Sequence, residues 1–456
     1  MTDLLLNESV WKKRIHEPFL RAALIIALTF GFGYAIILIE LIGHQISYGA
    51  GWMSLAQAHG HAQLFGWLGL FVIGMGLFFL PRLANAQLQK TNRAPLGFWL
   101  LVIGIALRGI SQPLLGWDAS FAIVARVAWL LSALMELAGA VVIGSMLAAT
   151  HATLPKVTRD SPAFPVIPFL WMALASFAFA FLANFFATLD AFMQSATVLS
   201  GAWDALIITL ILYGVAIPMA LVFSVRNLPL FLRLALPPRD SLRALAAVYA
   251  LGFGLRLAST FNYLFAAPAA MLQSAVILIF VWQLDLIRLR PAWITKRAPS
   301  PRPNLDDLRK PTRANYPDAG EYGRFELLIY SAYAWLVFFA LIELGRGVSA
   351  LIGFDFSVST DAERHALTLG FITLLIFGMA VRLAPGFSGK NRVAHPRLVA
   401  ATFFLGNLAA LLRVAPLFLA DAGVPLLLVA PSGAFGWIAV AGLAWNLFKT
   451  FRGDQL

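Results

Sequence analysis

Ala58-His59-Gly60-His61-Ala62-Gln63-Leu64-Phe65-Gly66-Trp67 opens an apolar stretch that continues through Ile73-Gly74-Met75 to Leu80-Pro81-Arg82. Much later the chain repeats itself: Arg364-His365-Ala366-Leu367-Thr368-Leu369-Gly370, then Phe377-Gly378-Met379 and Ala384-Pro385. With His61 set against His365, Ala62 meets Ala366, Gly66 meets Gly370, Gly74 meets Gly378, Met75 meets Met379 and Pro81 meets Pro385. A register held over that length marks an internal repeat. The expectation is a chain organised to bring His61 and His365 to one level inside a membrane.

Composition supports the membrane. The 456 residues are 60% hydrophobic and only 12% charged, with mean hydropathy +0.80. Soluble domains carry roughly 25% charged residues. So much apolar surface needs lipid as its solvent. The net charge of +12 suggests nucleic acid at first sight, but most cations fall in the loops of one side, where they set orientation. The absence of cysteine excludes disulfides, iron–sulfur clusters and thiolate ligands, leaving His, Met and carboxylate as metal ligands. No removable signal peptide is expected.

Twelve apolar segments are long enough to span: approximately 18–43, 59–82, 95–117, 122–148, 164–189, 200–224, 243–266, 268–289, 325–350, 363–385, 397–420 and 424–448. Lys12, Lys13 and Arg14 precede the first; Arg82, Lys90 and Arg93, then Lys156 and Arg159, then Arg226 to Arg243, fill alternate loops. The opposite loops hold Asp118, Asp190, Asp355, Asp361, Glu363 and Asp421. This positive-inside alternation predicts that both termini are cytoplasmic. The domain reading is 1–290 (spans one to eight), a Pro/Arg-rich cytoplasmic linker at 291–324, and 325–456 (spans nine to twelve).

The repeat extends beyond one helix. Leu38-Ile39-Glu40-Leu41 returns as Leu341-Ile342-Glu343-Leu344, and Leu-Arg recurs at Arg108, Arg256 and Arg413 in the third, seventh and eleventh spans. Trp203-Asp204-Ala205-Leu206 opens the sixth span with Asp in the place of the histidine. The fold class is therefore an all-α membrane protein of 12 transmembrane helices in three pseudo-repeats of four. A charge at the centre of a membrane helix costs at least about 2.5–3.5 kcal/mol on insertion scales, so the arginines need partners. Two readings stand together: salt bridges to Glu40, Asp190, Glu343 and Asp204, or contact with anionic groups of a cofactor. Two imidazoles carried at one level by parallel helices are what bis-histidine haem ligation requires. His61 and His365 are the favoured ligands, with Arg108, Arg256 and Arg413 as further cofactor-binding candidates. His59, two residues from His61, points elsewhere on a helix, so only one of the two can face a given iron, and which one stays open. His59 and His44 are otherwise candidate ligands of a second metal or entry-path residues. Gly66 and Gly370 would admit a flat macrocycle or a neighbouring helix.

His59-Gly60-His61 with Phe65-Gly66, and His365-Ala366-Leu367-Thr368 with Gly378-Met379 and Gly386-Phe387-Ser388-Gly389-Lys390, resemble the two signature regions of the NnrS family. The resemblance implies a multi-span bacterial protein that binds haem and copper and answers nitric oxide and nitrosative stress. That family reads Gly-His-Thr-Gly-Arg in the last region; here Phe387 replaces the histidine. The layout also resembles subunit I of haem–copper oxidases, which holds a low-spin haem between its second and tenth helices. Those oxidases carry copper-ligand histidines on helices six and seven, whereas no histidine occurs here between 152 and 364. The resemblance therefore implies a related fold with a reduced cofactor set, haem with or without copper. Its partners would be the lipid bilayer and an electron donor or nitric oxide, with no nucleic acid; the sequence sets no oligomeric state. The alternatives are a secondary transporter using the buried Arg/acid layer, a haem–copper-oxidase-like redox protein, or a structural membrane protein.

Overall fold

The structure, a computed structural model, describes residues 11–290 and 319–452, apart from 12, 50, 84–85, 118, 156, 160, 162–163, 355 and 357. Lys12, Asp118, Lys156, Asp355 and the linker over 291–318 lie outside the described residues.

The chain is all-helical, with no strand among the described residues. Among the described residues, twelve helices are long and apolar enough to cross a membrane: His16–Gly43, Gly51–Arg82, Thr91–Trp117, Ala122–His151, Ile167–Met193, Gly201–Phe231, Arg239–Ala258, Tyr263–Leu284, Phe325–Ile352, Thr360–Phe387, Pro396–Phe418 and Leu426–Arg452. We number them as spans one to twelve. Two bounds differ from the sequence reading in ways that matter. Span two begins at Gly51, so its histidines lie about three turns inside the helix rather than at its start. The polar residues that masked this extension are satisfied internally: Ser54 Oγ donates to the Gly51 carbonyl at 3.1 Å, and buried Gln57 exchanges hydrogen bonds with the main chain of Leu199. Span seven ends at Ala258, which puts Arg256 in its last turn. There Ser259 and Thr260 hydroxyls return to the Arg256 and Leu257 carbonyls, and Asn262 caps the next short turn through Leu264 N–H. Such local bonds let a polar run stop a helix.

The second span of each four-helix group loses its regular pitch in the same part of its length. π-Helical segments occupy Ala62–Gly69 in span two, Leu210–Ala216 in span six and Ala366–Thr373 in span ten. In spans two and ten the segment starts at the residue after the histidine and runs for 8 residues. π-Turns are rare and concentrate at functional sites. A fourth such segment, Ala27–Gly31, interrupts span one.

The described residues fall into two compact units. The first comprises residues 1–164, 172–216 and 408–444. Within it, a Cβ on Gly66 would strike Ile26, one on Gly74 would meet Phe19 Cβ at 2.6 Å, and one on Gly104 would meet Glu136 Cγ at 2.7 Å. The second comprises residues 165–171, 217–407 and 445–456. Within it, Gly370 faces Trp335 and Gly378 faces Ile329 and Leu328. The matched glycines thus do the same job twice: Gly66 and Gly74 admit span one, Gly370 and Gly378 admit span nine. Close helix approach through small residues is how membrane helices gain packing without a hydrophobic drive. Of the two uses foreseen for Gly66 and Gly370, the neighbouring helix takes both. Spans two and ten are also the most enclosed, with 72% and 83% of their most apolar windows buried. They are interior helices, suited to carrying a site rather than facing lipid.

Candidate functional site

In the first unit, His59 and His61 leave span two on different sides. His59 Nδ1 lies 2.9 Å from the main-chain carbonyl of Gly31. A carbonyl can only accept, so Nδ1 carries the proton and Nε2 is the nitrogen with a lone pair to offer. Gly31 closes the π-segment of span one, and its ψ of −99° turns its carbonyl away from the usual helical direction. His61 is used differently. Its Nε2 lies 3.0 and 2.9 Å from the two carboxylate oxygens of Glu136 in span four. Both side chains are buried (3% and 0% exposed), and the ring stacks on Phe65 with centroids 4.5 Å apart. The imidazole that follows the repeat register is therefore occupied by a buried acid. Both rings are anchored through one nitrogen, His61 by a carboxylate and His59 by a carbonyl, and metal-bound histidines show either anchor. They differ in that His59 keeps Nε2 on the far side of the ring from its anchor.

In the second unit, His365 ends the α-helical turn Thr360–His365 before the π-segment begins. Its Nδ1 lies 2.9 Å from the carbonyl of Asp361 and 3.0 Å from the Asp361 carboxylate. Nδ1 again carries the proton, and the ring keeps 21% exposure. Among the described residues Nε2 makes no hydrogen bond. So His59 and His365 share one state, Nδ1 on a main-chain carbonyl, although the repeat aligns His365 with His61.

The three expected arginines sit in unlike surroundings. Arg256 is paired with Glu343, as expected, and also bonds Gln273. Arg108, 2% exposed, bonds no carboxylate directly: Nη1 donates to Asn184 and Nε to Gln112 at 2.9 Å, and Gln112 passes on to Gln57 at 2.9 Å. Arg413 is buried in the first unit. Of the other expected acids, Glu40 holds His44 at 3.3 Å and Asp190 holds Gln194 at 2.7 Å, so neither meets an arginine. Asp204 stays in the first turn of span six. A second ion pair was not foreseen: Arg346 with Glu363, supported by the Val358 carbonyl.

Glu136 was also missed. The available signal was a carboxylate in the middle of a 30-residue apolar helix, a functional candidate by default in a membrane. It belongs to no repeat, so matching the repeats passes over it. Asp361 was read only as a loop acid; the i, i+4 spacing to His365 was the signal.

Haem and copper fit these donors unequally. In His365, Nδ1 is held and Nε2 makes no hydrogen bond among the described residues, an arrangement that suits haem iron. For copper, no three His, Cys, Asp or Glu side chains cluster closely enough to hold a metal among the described residues. His44, one of the expected metal ligands, is engaged with Glu40 on an exposed surface.

Residues 325–452 match the NnrS protein family. The NnrS match thus covers spans nine to twelve, with His365, Arg413 and the Gly378-Met379 run that aligns with span two. No curated protein matches the chain. Among solved structures, a haem–copper terminal oxidase dimer determined by cryo-EM superposes with a TM-score of 0.66 over 97% of this chain and 85% of that one. At 11% identity the likeness is one of fold, and it agrees with the all-helical architecture of twelve spans, resembling subunit I of haem–copper oxidases, expected from the sequence.

Proposed function

We propose that this is an integral membrane haem-binding protein of the NnrS kind, serving the defence against nitric oxide and nitrosative stress. It would lie in the bacterial inner membrane with both chain ends in the cytoplasm, an orientation that the alternation of basic and acidic loops supports. One observation carries the haem reading. In each unit a histidine beside a π-segment has Nδ1 fixed on a carbonyl at 2.9 Å, which presents Nε2 as a ligand.

Haem would supply an iron that exchanges one electron at a time. The chain's residues do the rest. Gly31 and Asp361 hold the tautomer and the ring angle of His59 and His365. The enclosure of spans two and ten keeps water away. Within this reading we assign the ligand of span two to His59, and give His61 with Glu136 a packing role in the first unit. Arg108, Arg256 and Arg413 remain candidates for the cofactor's anionic groups. Arg108 is the strongest, because its bonded partners are neutral amides. Arg256 already has Glu343, and Arg346 has Glu363. That pairing favours a structural use of the charged layer in the second unit over the solute path a transporter needs.

The test is the visible spectrum of the purified protein, expressed with ample haem. A Soret band with sharp reduced α-bands is the expected result. A colourless protein under those conditions contradicts the proposal and returns the transporter reading.

A further inference from the structure

His365 has a second acceptor at Nδ1 besides its main-chain carbonyl. His59 Nδ1 has the Gly31 carbonyl, whereas His365 Nδ1 is shared between the Asp361 carbonyl and the Asp361 carboxylate, at 2.9 and 3.0 Å. The second acceptor comes from the first turn of the same helix, four residues upstream, so it needs no other element to be in place. Hydrogen bonds to an ionised acceptor are roughly twice as strong as those to a neutral one. An outer partner of this kind also raises the basicity of a ligating histidine. We propose that Asp361 is a positioning residue for His365: its carboxylate draws on the Nδ1 proton and makes Nε2 a stronger electron donor than the main-chain carbonyl alone would. This rests on the haem reading above and adds to it an assigned charge and a direction of effect.

The physics fixes the sign. A more electron-donating axial nitrogen favours the oxidised, more positive iron and so lowers the midpoint potential. Removing the carboxylate raises it. The main-chain carbonyl of Asp361 remains in any variant, so the ring keeps one of its two tethers and the helix its fold. Asp361→Asn keeps an acceptor oxygen without the charge; Asp361→Ala removes both.

The experiment is a redox titration of the full-length protein in detergent, following the reduced α-band, on the parent and both variants. Both variants are expected to keep the α-band shape of the parent and to show a higher midpoint. Asp361→Ala is also expected to lose haem affinity by about 10–100-fold, as outer-partner removal does, and Asp361→Asn by less. A midpoint that stays at the parent value in both variants overturns the proposal, because a role in folding alone moves stability and not potential. If His365→Ala retains the parent spectrum and midpoint, His365 is not a ligand and the proposal falls while haem binding stands. If the parent takes up no haem, the haem reading itself falls, and this proposal with it.

Discussion

In span two the imidazole at the repeat register, His61, is locked against buried Glu136, while its neighbour His59 rests on the Gly31 carbonyl. In span ten the imidazole at the same register, His365, is held by the first turn of its own helix, and the position matching His59 is Glu363, which is paired with Arg346. The backbones of the two helices are alike: an α-helical turn, a histidine, then an 8-residue π-segment. The side chains around them have exchanged tasks. A duplicated membrane unit keeps what its packing requires, the glycines and the break in pitch, and lets polar roles drift by half a turn. Register alone therefore aligns the two helices but not the hydrogen-bond partners of their histidines.

The largest effect should come from the buried pair on one side of this comparison. Glu136→Ala leaves His61 without its partner in a site from which water is excluded; an unpartnered buried polar group costs about 1–3 kcal/mol, and the lost side-chain volume adds to it. Thermal unfolding in detergent should show a large fall, with the haem spectrum of the folded fraction kept. Loss of the spectrum without loss of stability would make His61 the ligand and reverse the assignment.

The next effect tests the sameness of the two helices. Gly74→Ala and Gly378→Ala each place a methyl against the preceding span, at 2.6 Å from Phe19 and 2.7 Å from Ile329. Overpacking of this kind costs about 1–3 kcal/mol. The two variants should lose similar stability by the same unfolding measurement; a cost on one side only would mean that the duplication is of sequence and not of packing. Gly104→Ala belongs to the same range. Its methyl would meet the Glu136 side chain and the Ser132 carbonyl, and so loosen His61 from span four.

The smallest effect lies on the exposed side. Asp361 keeps 41% of its side chain exposed, so Asp361→Ala should change stability by under about 1 kcal/mol. A cost as large as that of Glu136→Ala would erase the contrast between the two histidine sites.

Much of this was legible in the chain. Hydropathy and alternating loop charge give the twelve spans, because lipid imposes length and composition on each helix independently of its neighbours. The glycine register gives the repeat, because a larger residue at Gly74 or Gly378 would crowd the span packed against it. Arg256 with Glu343 followed from the cost of a charge in lipid. What was hidden depends on pitch and on long-range partners. A π-segment changes which side of the helix faces inward, and no residue pattern in Ala62–Gly69 or Ala366–Thr373 announces it. The early start of span two was masked by Ser54 and Gln57, whose polarity is absorbed by bonds to Gly51 and Leu199 that sequence cannot display. Glu136 stands alone in an apolar run, and only the fold brings it to His61.

The central claim is that hydrogen bonding, rather than repeat register, marks the ligands. The direct measurement is the reduced visible spectrum of His59→Ala, His61→Ala and His365→Ala, purified side by side in detergent. The account predicts that the α-band is lost in the His59 and His365 variants and kept in the His61 variant. An α-band that survives in the His59 variant and disappears in the His61 variant would contradict it.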